Sequence, residues 1–125
     1  MKADRRGDYL QHMLEATRTA MAYVAGLDKA SFLTDRRTQQ AVLHNIMIIG
    51  EAAGQLALAA PEWVAACPEV PWASLRGMRN RVAHGYFEID LEVVWATVQP
   101  AMPALLPVLA SAQARLTNGL NEPRI

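Results

Sequence analysis

The stretch TDRRTQQAVLHNIMIIGEAAGQLALAAP, Thr34 to Pro61, decides the fold class of this chain. Thr34 or Asp35 can cap a helix, because a short side-chain oxygen there accepts a backbone N–H that the first turn leaves unpaired. Apolar residues follow at helical spacing, and Pro61, which has no N–H to donate, ends the run near Ala60. The most apolar window, Ala41 to Ala60, is about as long as a membrane span. His44, Asn45, Glu51 and Gln55 interrupt it, and each polar group is costly in lipid, so we expect the buried helix of a soluble protein without a membrane partner. Gly50, Ala53, Gly54 and Ala57 form a stripe of small residues that allows a neighbouring helix to come close. They do not form a phosphate loop, since no strand precedes them and no Lys-Ser/Thr follows. Glu51 and Gln55 lie one turn apart on this apolar helix. A buried polar pair satisfied by its neighbours is the simpler reading, and a specific role is the alternative.

Working outward, an earlier helix is expected from Asp8, its candidate cap, with Tyr9, Met13, Ala16, Ala20, Tyr23 and Val24 on one face and a stop at Gly26. A short turn follows, in which Phe32 and Leu33 pack inward. Beyond Pro61 the chain reads as a connection with room for one helical turn, up to Trp72. Ser74 can cap a third helix ending at His84, with Gly85 as a left-handed terminator. Asp90 caps a fourth through Leu91, Val94, Trp95 and Val98; Pro100, Pro103 and Pro107 then break or kink the chain before a last helix ending near Leu116. Period-two alternation of the kind strands need is absent. The expected architecture is all-α, a bundle of four to five helices in one domain spanning 1–125, with its core over about 8–116 and a frayed tail over 117–125.

Composition narrows the function classes. The chain has 125 residues, enough to bury a core without staples, and its 52% hydrophobic content is slightly rich for a monomer, which favours a subunit interface. Its one cysteine, Cys67, leaves no internal disulfide and suits a reducing cytoplasm, and the charged N-terminus lacks the apolar core of a signal peptide. Net charge is zero, so any site for a polyanion must be local. His12, His44 and His84 have no Cys or carboxylate at ligand spacing, so no metal or other cofactor is expected. Cys67, before Pro68 in the connection, reads as a small packing residue, and Met13, Met21, Met47, Met78 and Met102 as core filler.

One segment differs from the rest. RGMRNRVAHGYFEID, Arg76 to Asp90, places three arginines and a histidine within nine residues. On a helix Arg76, Asn80 and His84 stack one above another, and Arg79 lies about 140° around from His84. His84 in the last turn stands at the negative end of the helix dipole. An imidazole can donate or accept a proton near neutrality, and a guanidinium can hold a phosphate through two N–H groups. The plainer alternative is a solvated helix end whose cations complement the dipole. From physics alone both readings stand.

The order Arg79-Asn80-Arg81-Val82-Ala83-His84-Gly85-Tyr86 resembles the Arg, four residues, His, any residue, Tyr motif of HepT-like toxins, members of the HEPN superfamily. Asp8-Tyr9-Leu10, Ala41-Val42, Ile49-Gly50-Glu51-Ala52, Pro71-Trp72, Tyr86-Phe87-Glu88-Ile89-Asp90 and Val94-Trp95 also stand where that family has similar residues, so the resemblance runs from about residue 8 to 110. It implies an all-α HEPN bundle and a metal-independent endoribonuclease. It further implies a homodimer with two motifs in one cleft, and a type VII-like toxin–antitoxin pairing with a minimal nucleotidyltransferase. By the resemblance Arg79 and His84 are catalytic, Asn80 supports them, and Tyr86 is the tyrosine that accepts AMP. Arg76 and Arg81 are assigned to RNA phosphates from charge alone. For Tyr86 the plainer reading is a ring packed at a helix end. For the whole chain the alternatives are a non-catalytic HEPN binding module, or chiefly a platform for the nucleotidyltransferase.

Overall fold

The structure is a computed structural model that describes residues 4–121, and no strand occurs among them. Four long helical segments dominate: α1 (Arg6–Val24), α3 (Arg36–Ala59), α5 (Trp72–His84) and a final rod made of α6 (Leu91–Ala96), a π turn (Thr97–Ala101) and α7 (Met102–Asn121). Two short helices, α2 (Lys29–Thr34) and α4 (Pro61–Ala65), fill the connections. The all-α bundle expected from the sequence is therefore present, with α2 in place of a simple turn. α2 carries Phe32 fully buried, its ring 5.2 Å from that of Trp95, which ties this connection to the final rod.

The α3 helix is the centre of the molecule, packed against α1 on one side and α5 on the other, while α1 also packs on α7. Asp35 caps it, accepting from the Thr38 N–H at 3.1 Å and the Thr38 hydroxyl at 2.6 Å. Val42, Ile46, Ile49, Ala53 and Leu56 face the core. Full burial of such side chains stabilises the fold by roughly 1.5–3 kcal/mol each. The two buried polar residues among those described are satisfied locally: Thr17 donates to Met13 O at 2.7 Å and Asn45 to Ala41 O at 2.8 Å. Cys67 is buried in the connection before α5, as a packing residue should be.

Several local expectations change. α1 begins at Arg6, so Asp8 sits in the first turn and is not its cap. Its buried face is Leu10, Met13, Leu14, Ala16, Thr17, Ala20 and Val24, which leaves Tyr23 about 100° from the middle of the stripe and half exposed. α5 starts at Trp72 without a side-chain cap, two residues before Ser74; the Trp72 indole N–H donates to Cys67 O at 3.0 Å and anchors the start instead. The prolines do not separate two helices. Pro100 is accommodated in the π turn and Pro107 within α7, which continues past Leu116 to Asn121, so residues 117–121 are helical and not a frayed tail. Residues 122–125 lie outside the described residues. α3 and the Leu91–Asn118 stretch are both long and apolar enough to cross a membrane by length and composition. α3 has 50% of its most apolar window buried, and the final rod only 28%.

Candidate active site

The Arg/His segment forms α5 and the turn after it. α5 rests mainly on α3 and leaves most of its circumference uncovered: Val82 is its one buried residue. Arg76, Asn80, Arg81 and His84 are all exposed, and His84 is the last helical residue. The helix stops as Gly85 N–H donates to Arg81 O at 2.9 Å, and the chain passes into a 3-10 turn, Tyr86–Glu88. Gly85 has φ −132°, so it is not the left-handed terminator expected. What a side chain there would meet is Arg81 O, 3.2 Å from its Cβ.

Arg79 alone of the motif's cations turns toward α3. It does so because Gly50 leaves room: a Cβ at Gly50 would lie 2.1 Å from Arg79 Cβ and 2.8 Å from Leu75 O. The small-residue stripe thus serves a close helix crossing at Gly50, whereas nothing lies within 4 Å of a Cβ at Gly54. Arg79 Nη2 is 3.1 Å from Glu51 Oε2, and Nη1 donates to Asn80 Oδ1 at 3.2 Å. Arg79 Nε is buried and has no hydrogen-bond partner among the described residues. Glu51 Oε1 accepts from Gln55 at 3.4 Å. Glu51 and Gln55 are therefore not the buried pair expected: Glu51 is exposed and Gln55 half-buried, and Glu51 pairs with a motif residue. The sequence does carry a signal, since Gly50 and Glu51 are adjacent and each is unusual on an apolar helix. What it lacks is the partner across the helix crossing.

Asn80, Arg81 and His84 share a depression of about 400 Å³ closed on its far side by Ile89, Asp90 and Val94. Arg79 does not line it, and no hydrogen bond joins Arg79 to His84 among the described residues. Arg76 and Arg81 make no ion pair among the described residues, which leaves both guanidinium groups free for an external anion. Tyr86 is half exposed and lies edge-on to Phe87, ring centroids 5.9 Å apart; Phe87 is fully exposed. Tyr86 is thus not a ring packed into the helix end, and its hydroxyl has no partner among the described residues. No cluster of three metal-ligating side chains occurs among the described residues, and His12 and His44 are both exposed and distant in sequence from this segment.

A second depression, about 530 Å³ and mainly apolar, runs between α3, α5 and the final rod, lined by Ile46, Ile49, Leu75, Met102 and Leu105. It shares Met78, Arg81 and Val93 with the first, so the groove leads directly into the depression that holds His84.

Comparison with known proteins bears on this geometry. The family described as Ribonuclease HepT-like matches residues 13–112, a span that contains Gly50, Glu51 and the whole of α5. A protein of Thermococcus cleftensis named "Probable ribonuclease HepT" is 34% identical over 98 residues, 78% of this chain and 86% of its own length. A candidate RNase of Methanocaldococcus jannaschii is 31% identical over 96 residues, 76% of each chain. Another from Caldanaerobacter subterraneus is 30% identical over 97 residues, 78% of this chain and 84% of that one. No solved structure gives a significant match. With the bundle, the motif helix and these relatives in agreement, the chain belongs to the HepT-like ribonuclease family.

Proposed function

We propose that this protein is a metal-independent endoribonuclease acting through Arg79 and His84 at the cleft of a homodimer. The observation that carries the reading is α5 in a ribonuclease family: His84, Arg76 and Arg81 stand on its uncovered face, and Arg79 on the same short helix is held at the α3 crossing. Cleavage without a metal uses the neighbouring 2′-hydroxyl as nucleophile. A base takes its proton as the new P–O bond forms, and an acid protonates the departing 5′-oxygen, leaving a 2′,3′-cyclic phosphate and a 5′-hydroxyl. One chain offers one histidine at this segment; a two-fold dimer supplies the second. His84 transfers protons, and Arg79 stabilises the pentacoordinate phosphate, a role typically worth about 2.7–4 kcal/mol. Asn80 orients the Arg79 guanidinium it already contacts, and Arg76 and Arg81 hold flanking phosphates. The apolar groove that leads into the His84 depression supports a second copy seated there, as does the largely unburied final rod. Folded Arg79→Ala and His84→Ala dimers should lose RNA cleavage by about a hundredfold or more; cleavage equal to the parent's would sink the proposal.

In this reading the protein is a cytoplasmic toxin whose partner is a minimal nucleotidyltransferase. The Tyr86 hydroxyl attacks the α-phosphorus of ATP bound by that partner, pyrophosphate leaves, and the tyrosyl AMP competes with RNA for the nearby arginines. The unpartnered, half-exposed Tyr86 supports this. Intact-mass spectrometry after co-expression should show one added AMP; no increase, or an increase that persists in Tyr86→Phe, would overturn it. One observation favours the rival reading of a non-catalytic binding module or partner platform: Arg79 is engaged by Glu51 and does not share the His84 depression. Growth arrest on expression, relieved by the two motif substitutions, separates the readings.

A further inference from the structure

The contacts around Arg79 assign a task to the Gly50–Glu51–Gln55 face of α3. We propose that Glu51 is a positioning residue, which together with Gly50 and Asn80 fixes the Arg79 guanidinium before RNA arrives. The inference rests on the ribonuclease reading above. Three independent features converge on one side chain. Gly50 admits the Arg79 stem: its missing Cβ would stand 2.1 Å from Arg79 Cβ and 2.9 Å from Arg79 Cγ. The stem is therefore held against α3 rather than free to sweep. Glu51 Oε2 stands 3.1 Å from Nη2 as an ion pair and Asn80 Oδ1 accepts from Nη1 at 3.2 Å, so a charge and a hydrogen bond act on the two Nη groups. Gln55 donates to the other Glu51 oxygen at 3.4 Å and steadies the carboxylate in turn.

The pair is ill suited to a purely stabilising role. The side chains of Arg79 and Glu51 are 32% and 55% exposed, and ion pairs that wet contribute little to folding. A guanidinium has five N–H donors. One is taken by Asn80, the Nε–H is buried, and Nη2 is ion-paired with Glu51, so the two Nη groups still have N–H donors for a phosphate oxygen pair. A transition state gains most from donors already in place when charge develops, because no reorganisation is then needed. Glu51 also carries a negative charge near the expected path of a polyanion, so it opposes RNA binding while favouring the chemical step. That opposition gives the proposal a signature shared neither by a folding defect nor by removal of a phosphate-binding group.

The test uses the full chain and three readouts: single-turnover cleavage of RNA, affinity for a 2′-O-methyl oligonucleotide that lacks the nucleophile, and the side-chain Nε–H resonance of Arg79. Glu51→Ala should cleave about ten- to a hundredfold more slowly, the scale of effect a displaced catalytic group produces. Its affinity for the oligonucleotide should be unchanged or tighter, and the Arg79 signal should move to that of a freely rotating arginine. Glu51→Gln, which keeps an oxygen acceptor, should recover part of the rate. An unchanged rate, or a rate and affinity that fall together, would overturn the proposal. If the parent and His84→Ala prove equally inactive on RNA, the ribonuclease reading fails separately. The Arg79 resonance then decides: identical signals in parent and Glu51→Ala overturn the positioning claim, and a released signal upholds it.

Discussion

Glycine at position 50 has a measurable consequence because two opposing terms act on it. Replacing a mid-helix glycine by alanine ordinarily stabilises a helix by about 1 kcal/mol. At Gly50 the added methyl meets Arg79 Cβ and the Leu75 carbonyl, and overpacking against atoms that cannot swing aside costs about 1–3 kcal/mol. The clash lies at the severe end, so Gly50→Ala should lower the urea midpoint and slow RNA cleavage as α5 shifts off α3. Gly54→Ala, on the same helix with nothing within 4 Å, should be neutral or stabilising by up to about 1 kcal/mol. Equal responses at the two positions would show that the helix crossing is not tight at Gly50. Phe87 gives the complementary case. It is fully exposed, so Phe87→Ala should leave the melting temperature of the isolated protein unchanged, and a marked fall would mean the ring is covered in solution.

At the level of elements, the capping of α3 links fold to pH. The Thr38 hydroxyl and then the Thr38 N–H hold the Asp35 carboxyl below its usual value of 3.8. A carboxylate with a lowered folded-state pKa contributes stability that is present above about pH 4 and lost as pH falls through the folded value. Asp28, which caps α2 through Ser31, acts with the same sign. Asp35→Asn keeps an oxygen acceptor but not the charge. It should therefore be less stable than the parent at pH 7, with the gap closing toward pH 3 in urea titrations; a gap that stays constant would remove the charge from the account. The Asp35 cap, the Pro61 stop and the Asp90 cap are legible in the sequence because each acts through its own backbone neighbours. The start of α5 is not: Trp72 is anchored by a carbonyl five residues back in an irregular connection, which no local pattern encodes. Nor is the continuity of the final rod, since a π turn can absorb Pro100 without ending the helix.

For the whole molecule, a neutral chain must concentrate its positive charge to bind RNA, and α5 does so with Arg76, Arg79 and Arg81. Arg76→Ala or Arg81→Ala should weaken RNA binding for all sequences alike and reduce the salt slope by about 0.7 for each phosphate no longer neutralised. An unchanged slope would place these residues outside the RNA path. The bundle is legible from helical periodicity, while the roles of the motif residues are read from the resemblance alone. The carboxylate that holds Arg79 is not, because Glu51 and Arg79 are 28 positions apart and meet only through the α3–α5 crossing. Nor does one chain unite Arg79 with His84, which is why the account turns on a two-fold assembly; light scattering should return a dimer, and a monomer that cleaves at full rate would contradict it. The most direct test of the central claim is the chemistry of the product ends after incubation with RNA in excess EDTA. The parent should leave 2′,3′-cyclic phosphate and 5′-hydroxyl termini, and His84→Ala none above background. Cleavage that stops with EDTA, leaves 5′-phosphates, or survives in His84→Ala would contradict it.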